Sequence, residues 1–314
     1  MSIQSKQIRL AYLILAHENP GQLKRLVSTL STRDTAFFIH IDRKTDIKTF
    51  DILTGPENVE LIQDRHYVNW GGFSLVEATL TLLQKAFSDP RKFDRFLLLS
   101  GADYPVKSNC YIKQFFLGNH HEYISLAPMP ILRENENKAL ERLEKIHIEA
   151  LFHPQSKPLT VFHNLATYYV NIALDLLYKR NYQKKLKGIK PYAGHQWWAF
   201  SREAVSYIFD FLEKNVSYLS FFKYCKVPDE IFFHTIIANS KYVKQTAPSL
   251  TYVDWRGLNY HPEIISQDHF LTIKQHGNLF DDAVYGKGEF LFVRKIDPEN
   301  KELLDRIDRE LRRV

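Results

Sequence analysis

Two almost uninterrupted apolar stretches near the start of the chain constrain its fold more than any other feature. Residues 8–16 and residues 36–41 are dominated by apolar side chains, and apolar residues recur at helical spacing over 23–30 between them. Strands that are covered on both faces read as continuous apolar runs, because neither side meets solvent. We therefore predict a β-α-β unit of a parallel sheet with a right-handed crossover.

Later segments continue this α/β pattern. A further buried strand is predicted at residues 95–100 (RFLLLS), and shorter strands at 122–126 and 252–255. Ser108 and Ser201 are each placed to cap the start of a helix. Helical spacing of apolar residues predicts helices over residues 74–87, 108–117, 135–151, 165–178, 204–212 and 298–313. The sequence shows no internal repeat, so we expect one domain spanning residues 1–314.

The charge of the chain limits its possible binding partners, and its cysteine content indicates its cellular compartment. The net charge of +6 and the pI near 9.0 indicate an anionic partner. Basic residues are mostly interspersed with acids, and only residues 179–190 form a basic patch, so we exclude a nucleic-acid-binding face. Cys110 and Cys225 supply neither a disulfide framework nor a metal-ligand spacing, which favours the reducing cytoplasm. The apolar run at 10–16 is too short to span a bilayer, so we expect at most peripheral membrane contact.

Polar residues follow several of the predicted strands. His17, Asp42 and Asp103 each come directly after an apolar run. In parallel sheets ligands bind beyond the carboxyl ends of the strands, so these three residues are candidates for one site. Local sequence by itself favours a structural role for Asp103, as the cap of a turn. No G-x-G-x-x-G pattern follows the first strand, which makes a dinucleotide cofactor unexpected.

A pair of tryptophans marks a further strand. Trp197 and Trp198 precede a predicted helix in the sequence HQWWAFSREAV. Side chains alternate between the two faces of a strand, so the two rings must point in opposite directions. One ring can fill the core while the other lines a cleft, where it could stack on a sugar.

Two adjacent acids follow a proline later in the chain. Pro228 suits the first turn of a helix, and Asp229 and Glu230 come directly after it. One interpretation is that the acids only complement the positive end of a helix dipole. The other is that a carboxylate held on a rigid element acts as a general base.

Five stretches together resemble one enzyme family, spread in the family's order over residues 8–297. They are AYLILAHENPGQLKRLVSTL with FFIHIDRK, FLLLSGADYPVKSN, HQWWAFSREAV, VPDEIFFHTII, and YVDW with FVRKID. The chain resembles the core-2/I-branching β-1,6-N-acetylglucosaminyltransferases, which are related to the peptide O-xylosyltransferases. The family's usual membrane anchor and disulfide-bonded luminal region have no counterpart here, so we expect a bacterial-type, cytoplasmic member.

The resemblance implies an α/β fold of the GT-A-like, Rossmann type, with a mostly parallel central sheet flanked by helices. It divides the domain into a nucleotide-binding half, 1–126, and an acceptor-binding and catalytic half, 127–314. It also implies an inverting transfer from a UDP-sugar, with N-acetylglucosamine or xylose as the sugar, to a hydroxyl of a glycan or glycolipid such as a bacterial polysaccharide. No metal or other cofactor is expected, since the position of the usual Asp-x-Asp reads Asp42-Arg43-Lys44.

The resemblance also assigns roles to the candidate residues. Glu230 matches the catalytic base, and Lys295 matches a lysine that neutralises the leaving diphosphate. The YVDW strand lacks an arginine at the position expected for its partner, so Arg256 is the substitute. His17 and Asp42 are expected at the uridine or its ribose. The remaining candidates line the donor-sugar and acceptor region: Asp103, Arg142, Trp197, Trp198 and Asp229.

Two other functions remain open from the sequence. A carbohydrate-binding protein would explain the tryptophans without any chemistry. A glycosidase needs two carboxyl groups that flank the scissile bond, and Asp103 with Glu230 would be that pair.

Overall fold

A computed structural model describes residues 7–133, 136–153, 157–255 and 262–313 of the chain. In chain order the strands are β1 (Leu10–Ala16), β2 (Thr35–Ile41), β3 (Val59–Leu61), β4 (Arg95–Ser100), β5 (Tyr104–Pro105), β6 (Glu122–Ile124), β7 (Ala127–Pro128), β8 (Ile131–Arg133), β9 (Glu136–Lys138), β10 (Tyr192–Ala193), β11 (Trp198–Ser201), β12 (Thr246–Ala247), β13 (Thr251–Val253), β14 (Leu279–Asp282), β15 (Gly286–Glu289) and β16 (Phe292–Arg294).

The helices alternate with these strands along much of the chain. In order they are α1 (Pro20–Leu30), α2 (Ser74–Phe87), α3 (Asn109–Phe116), α4 (Glu141–Glu144), α5 (Lys157–Leu177), α6 (Tyr182–Leu186), α7 (Arg202–Lys214), α8 (Val216–Phe222), α9 (Phe232–Ala238), α10 (Gln267–His276) and α11 (Lys301–Glu310). The predicted caps are confirmed, because Ser108 accepts a hydrogen bond from the Tyr111 amide and Ser201 accepts one from the Ala204 amide.

The main sheet confirms the predicted α/β class. Within the described residues it has seven strands in the order β12-β6-β11-β4-β1-β2-β3. The β1-α1-β2 unit is parallel as predicted, and β4 and β3 continue the parallel arrangement on either side. Strand β11 is the exception, since it runs antiparallel to both β4 and β6. The beginning of β11 therefore lies at the same edge as the carboxyl ends of its neighbours.

The sheet is covered on both faces, which explains its apolar strands. Along β1, Ala11 and Leu13 join a core cluster that includes residues of α2, α7 and α9. Leu10, Tyr12 and Ile14 point the other way, into a cluster that includes residues of α1, α3 and α11. Both faces of the strand are thus removed from water, and no polar alternation is required.

A small second sheet crosses the carboxyl edge of the main one. Strand β16 pairs in parallel with β13 and antiparallel with β5, which follows directly after β4. The Ile296 amide donates to the Ala102 carbonyl at 3.0 Å, which fixes the end of β16 over the loop after β4. Through this sheet, the end of β16 lies at the edge of the main sheet that also holds His17, Asp42 and Asp103.

The helix predicted at residues 135–151 is wrong. In the described part of this segment, β9 pairs with β8, and only Glu141–Glu144 is helical. The His147 amide donates to the Tyr224 carbonyl, and the Ile148 amide donates to the side chain of Asn171. These amides pair with other elements instead of with carbonyls one turn earlier, so tertiary contacts override the amphipathic pattern. Among the described residues no helix is both long and apolar enough to cross a membrane.

Candidate active site

The edge of the sheet beyond β1 and β2 holds two of the candidate residues. Asp42 is buried, and its Oδ1 accepts hydrogen bonds from the Lys44 amide at 2.9 Å and the Val68 amide at 3.4 Å. The Lys44 ammonium lies 3.4 Å from the other carboxylate oxygen. His17 is exposed beside Glu18. The structure therefore holds Asp42 rigidly and leaves His17 open to a ligand.

Asp103 lies beyond the end of β4 and is fully buried. One carboxylate oxygen accepts from the Ser100 amide at 2.9 Å, and the other accepts from the Arg294 guanidinium at 2.9 Å. Burial raises the pKa of the Asp103 carboxyl, and the charge of Arg294 offsets part of that rise. The guanidinium also bonds the Ser100 hydroxyl and lies over the ring of Trp197, with its central carbon 4.7 Å from the ring centroid.

Both tryptophans are buried in the same core cluster, and β11 begins only at Trp198, so the expectation that a strand places their rings on opposite faces is not confirmed. Trp197 faces Arg294, next to the pair that this arginine forms with Asp103. Trp198 packs in the core, where its ring stacks on Phe200 with centroids 4.3 Å apart. The antiparallel direction of β11 brings Trp197 to the carboxyl edge of the sheet, so it is the tryptophan beside the charged groups.

Lys295 directly follows Arg294 at the end of β16. Its side chain is 41% exposed, and its ammonium lies 3.9 Å from the carboxylate of Glu18. Glu18 follows β1, so Lys295 stands over the carboxyl end of that strand. Two adjacent cations, one half-buried and one open, are therefore fixed at the edge that also holds Asp42.

Glu230 ends a 3₁₀ turn, Pro228–Glu230, that precedes α9. Its carboxylate Oε2 accepts a hydrogen bond from Arg142 at 2.7 Å and lies 3.7 Å from the ammonium of Lys138. The Gly194 amide donates to the Glu230 carbonyl at 3.0 Å, which ties the turn to the segment just before β11. Glu230 is thus partly exposed but oriented by two cations and by a backbone bond.

Asp229 has the opposite environment from its neighbour. It is buried, and its Oδ1 has no hydrogen-bond partner among the residues that the structure describes. Burial and the adjacent charge of Glu230 raise the pKa of Asp229 to about 7. Of the two acids, Glu230 is therefore the one accessible to a ligand, while Asp229, expected at the substrate, is buried behind it.

Side chains bridge the space between Glu230 and the Arg294–Lys295 pair. The ring of Tyr285 lies against that of His195, with centroids 4.9 Å apart, and the Tyr285 hydroxyl accepts from Lys138 at 3.4 Å. Lys138 in turn reaches Glu230, while His195 lies two residues before Trp197. Side-chain contacts thus run from the candidate base as far as His195, and two residues further along the chain Trp197 packs on Arg294.

Two charged residues of this candidate site, Arg294 and Lys138, were not predicted from the sequence. Arg294 stands beside Lys295 at the end of an apolar strand, and that position was a usable signal. Lys138 gave no signal, because its partner Glu230 is 92 positions away in the sequence. Arg256, predicted at the diphosphate, lies outside the described residues. Within the described ranges no group of three or more His, Cys, Asp or Glu side chains is arranged to hold a metal ion.

Comparison with known proteins shows which family the chain belongs to. The family model for the Core-2/I-Branching enzyme matches residues 10–278. Xylosyltransferase 2 of Homo sapiens is 25% identical over 239 residues, which are 74% of this chain and 25% of that protein. Xylosyltransferase 1 of Rattus norvegicus is 23% identical over 240 residues, 74% of this chain and 26% of that protein. A xylosyltransferase of Ciona intestinalis is 22% identical over 242 residues, 75% and 25% of the two chains. The chain thus spans about a quarter of the length of these relatives.

Proposed function

Because this chain belongs to the Core-2/I-branching enzyme family, we propose that it is a glycosyltransferase that moves a sugar from a nucleotide-sugar donor to a hydroxyl of a glycan acceptor. The GT-A-like fold of that family agrees with the mostly parallel sheet flanked by helices. One observation supports the proposal above the others. An oriented, partly exposed carboxylate, Glu230, is linked by contacts to His195, two residues before the Trp197 ring that packs on Arg294, next to Lys295.

Glu230 is the proposed general base. Its carboxylate takes the proton from the acceptor hydroxyl, and the oxygen then attacks the anomeric carbon on the side opposite the leaving diphosphate. A single displacement of this kind inverts the configuration at that carbon. Arg142 and Lys138 hold the carboxylate in place, and Arg142 is also the proposed contact for the acceptor.

Lys295 is the proposed partner of the leaving diphosphate. Fixed cations can neutralise the negative charge that develops there, in the role that a metal has in related folds. Arg294 stands next to Lys295 and is oriented by Asp103, so it is the arginine that the described residues offer for this role beside the earlier candidate Arg256. We propose on this basis that transfer needs no metal ion.

The nucleotide and the donor sugar have their own candidate contacts. Asp42 and His17 stand at the ends of the first two strands, where the proposed 1–126 half would hold uridine and its ribose. Trp197, packed against Arg294, is the candidate to line the sugar site, while Trp198 would support it from the core. The relatives are named xylosyltransferases, which supports UDP-xylose beside UDP-N-acetylglucosamine as the donor.

The environment of Asp103 argues against a glycosidase. A glycosidase would need Asp103 and Glu230 as an acid and its partner across a bound sugar. Asp103 is fully buried, and both of its oxygens are engaged by Ser100 and Arg294. Its position fits a residue that orients Arg294 better than one that meets a substrate.

Measuring UDP release from UDP-N-acetylglucosamine and UDP-xylose, with and without oligosaccharide acceptors and in EDTA, tests the proposal. We expect acceptor-dependent release of UDP that EDTA does not reduce. Cleavage of glycans without any release of UDP would favour a hydrolase, and sugar binding without turnover would favour a carbohydrate-binding protein. Loss of activity in EDTA would contradict the metal-free role of Lys295.

A rise in melting temperature with one UDP-sugar would identify the donor, because a ligand that binds only the folded state stabilises it. Cytoplasmic localisation remains a prediction.

A further inference from the structure

Helix α5 rests on the protein through its polar side. His163, Thr167 and Asn171 recur every fourth residue and face inward. The ring of His163 accepts a hydrogen bond from the Leu151 amide at 3.1 Å, and the side chain of Asn171 bonds both the amide and the carbonyl of Ile148. This polarity is the reverse of an ordinary surface helix, which buries its apolar stripe.

The opposite side of α5 is apolar and exposed. Its outward face, as we define it, consists of six residues that are each 38–81% exposed: Val161, Phe162, Leu165, Tyr169, Ile172 and Leu176. At 3.6 residues per turn they share one side of the helix, within roughly a third to a half of its circumference. A contiguous apolar surface of this kind marks an interaction site on a water-soluble fold.

A basic segment follows this face directly. Residues 179–190 contain six basic residues and no acidic residue, and Lys184, Lys185, Lys187 and Lys190 are exposed. We call these four the lysine cluster. Because this segment continues directly from α5 in the chain, a partner with an apolar interior and a negatively charged surface suits the outward face together with the lysine cluster.

We propose that the outward face of α5 and the lysine cluster dock this protein on an anionic membrane surface. A helix with an apolar side and adjacent lysines lies in the plane of the interface, with its apolar side chains among the lipid chains and its cations at the headgroups. No helix in the described part of the chain is suited to cross the membrane, and α5 keeps its polar side on the protein. A second copy of the same surface would bring lysines without acids, so it suits this charge less well.

Docking of this kind does not depend on the proposed sugar transfer and is tested without it. The full chain is mixed with vesicles of phosphatidylcholine alone or of phosphatidylcholine with phosphatidylglycerol, and the sedimented fraction is measured at low and high salt. We expect binding to the anionic vesicles, weaker binding in high salt because of screening, and little binding to the neutral ones.

Variants separate the two parts of the surface. The double variant Phe162→Ser/Leu165→Ser and the triple variant Lys184→Gln/Lys185→Gln/Lys187→Gln should each weaken vesicle binding by about tenfold or more. The matched controls are Val216→Ser, an apolar residue 69% exposed on α8, and Lys287→Gln, an exposed lysine on β15. Both controls should bind as the original chain does.

Three results would overturn the proposal: no binding to anionic vesicles, equal loss in the controls, or a dimer in light scattering that Phe162→Ser/Leu165→Ser dissociates while vesicles are not bound. The last result would assign the outward face to a second copy. If that double variant melts early, Val161→Ser/Ile172→Ser removes apolar side chains from the same face and must give the same loss.

Discussion

At the scale of single residues, two neighbouring acids have different environments. Glu230 is held at the surface of the site by Arg142 and Lys138, while Asp229 is buried behind it. The sequence alone offered both as acids at the start of a helix. The two side chains leave the 3₁₀ turn on different sides, and this difference supports the proposal that Glu230, rather than Asp229, is the base.

Replacing Glu230 by glutamine tests that assignment. Glutamine keeps the shape and can still meet Arg142, but it cannot take a proton, so we expect transfer to fall about a hundredfold or more. Binding of UDP, measured by calorimetry, should stay unchanged. Glu203→Gln, an exposed acid in the first turn of α7, is the matched control and should keep full activity. Near-normal turnover in Glu230→Gln would mean that another group is the base.

Replacing Asp229 by asparagine tests its buried environment. Because its pKa is raised from 3.8 to about 7, the folded chain keeps a proton that the unfolded chain loses as the pH rises between those values. The free energy of unfolding should therefore fall over this interval in the original chain, relative to Asp229→Asn, by about 1–3 kcal/mol. Urea unfolding of both chains at pH 4 and pH 8 measures the difference. A difference independent of pH would show that Asp229 ionises normally.

At the scale of elements, the site depends on close approach between the turn that carries Glu230 and the segment before β11. Gly194 sits where these segments meet, and its amide bonds the Glu230 carbonyl. A Cβ at Gly194 would lie 1.7 Å from the carbonyl oxygen of Ser125, which is backbone and cannot move aside easily. A glycine is needed here because there is no room for a Cβ atom, and not because of its backbone dihedral angles.

The variant Gly194→Ala should therefore displace the turn and lower both stability and activity. We expect a loss of about 1–3 kcal/mol in the free energy of unfolding, the usual cost of overpacking. Gly21→Ala in α1 is the control, since a Cβ there meets nothing within 4 Å. Chemical denaturation of the two variants checks the prediction, and equal stabilities would mean that the contact at Gly194 relaxes without cost.

At the scale of the whole molecule, the core holds histidines that must stay neutral. Burial lowers the pKa of His40 to about 4 and that of His234 to about 3. His40 accepts the His66 amide at 2.8 Å, and His234 bonds the His195 carbonyl at 2.9 Å. Each ring joins two segments that are distant in the sequence. Protonation of either ring should therefore lower the stability of the whole fold.

Acid should consequently destabilise the protein below pH 6.5. The unfolded chain takes up protons on these histidines near pH 6.5 while the folded chain does not, so stability is lost as the pH falls toward the folded pKa values. At pH 5 we expect a loss of about 2 kcal/mol for each buried histidine. In His40→Gln the dependence on pH should be shallower, while His120→Gln, an exposed histidine, should keep the original slope. Identical slopes in all three chains would contradict neutral burial.

Local sequence was sufficient for the parallel strands at the centre of the sheet and for placing three candidate residues after them. The apolar runs of β1, β2 and β4 predicted a parallel sheet covered on both faces, because burial on two sides leaves no polar alternation. The caps at Ser108 and Ser201 were predictable because a cap is satisfied within three residues. His17, Asp42 and Asp103 followed from their position after strands.

Only the tertiary structure decided which side chains meet. Lys138 and Arg142 meet Glu230, about 90 positions later in the chain, and Arg294 reaches Asp103 through the pairing of β16 with β5. The failed helix at 135–151 has the same cause, since its amides bond to other elements. The local sequence pattern predicts which residues of one helix or strand are buried. The partners of a charge depend on how the elements pack, and that is set by the whole chain.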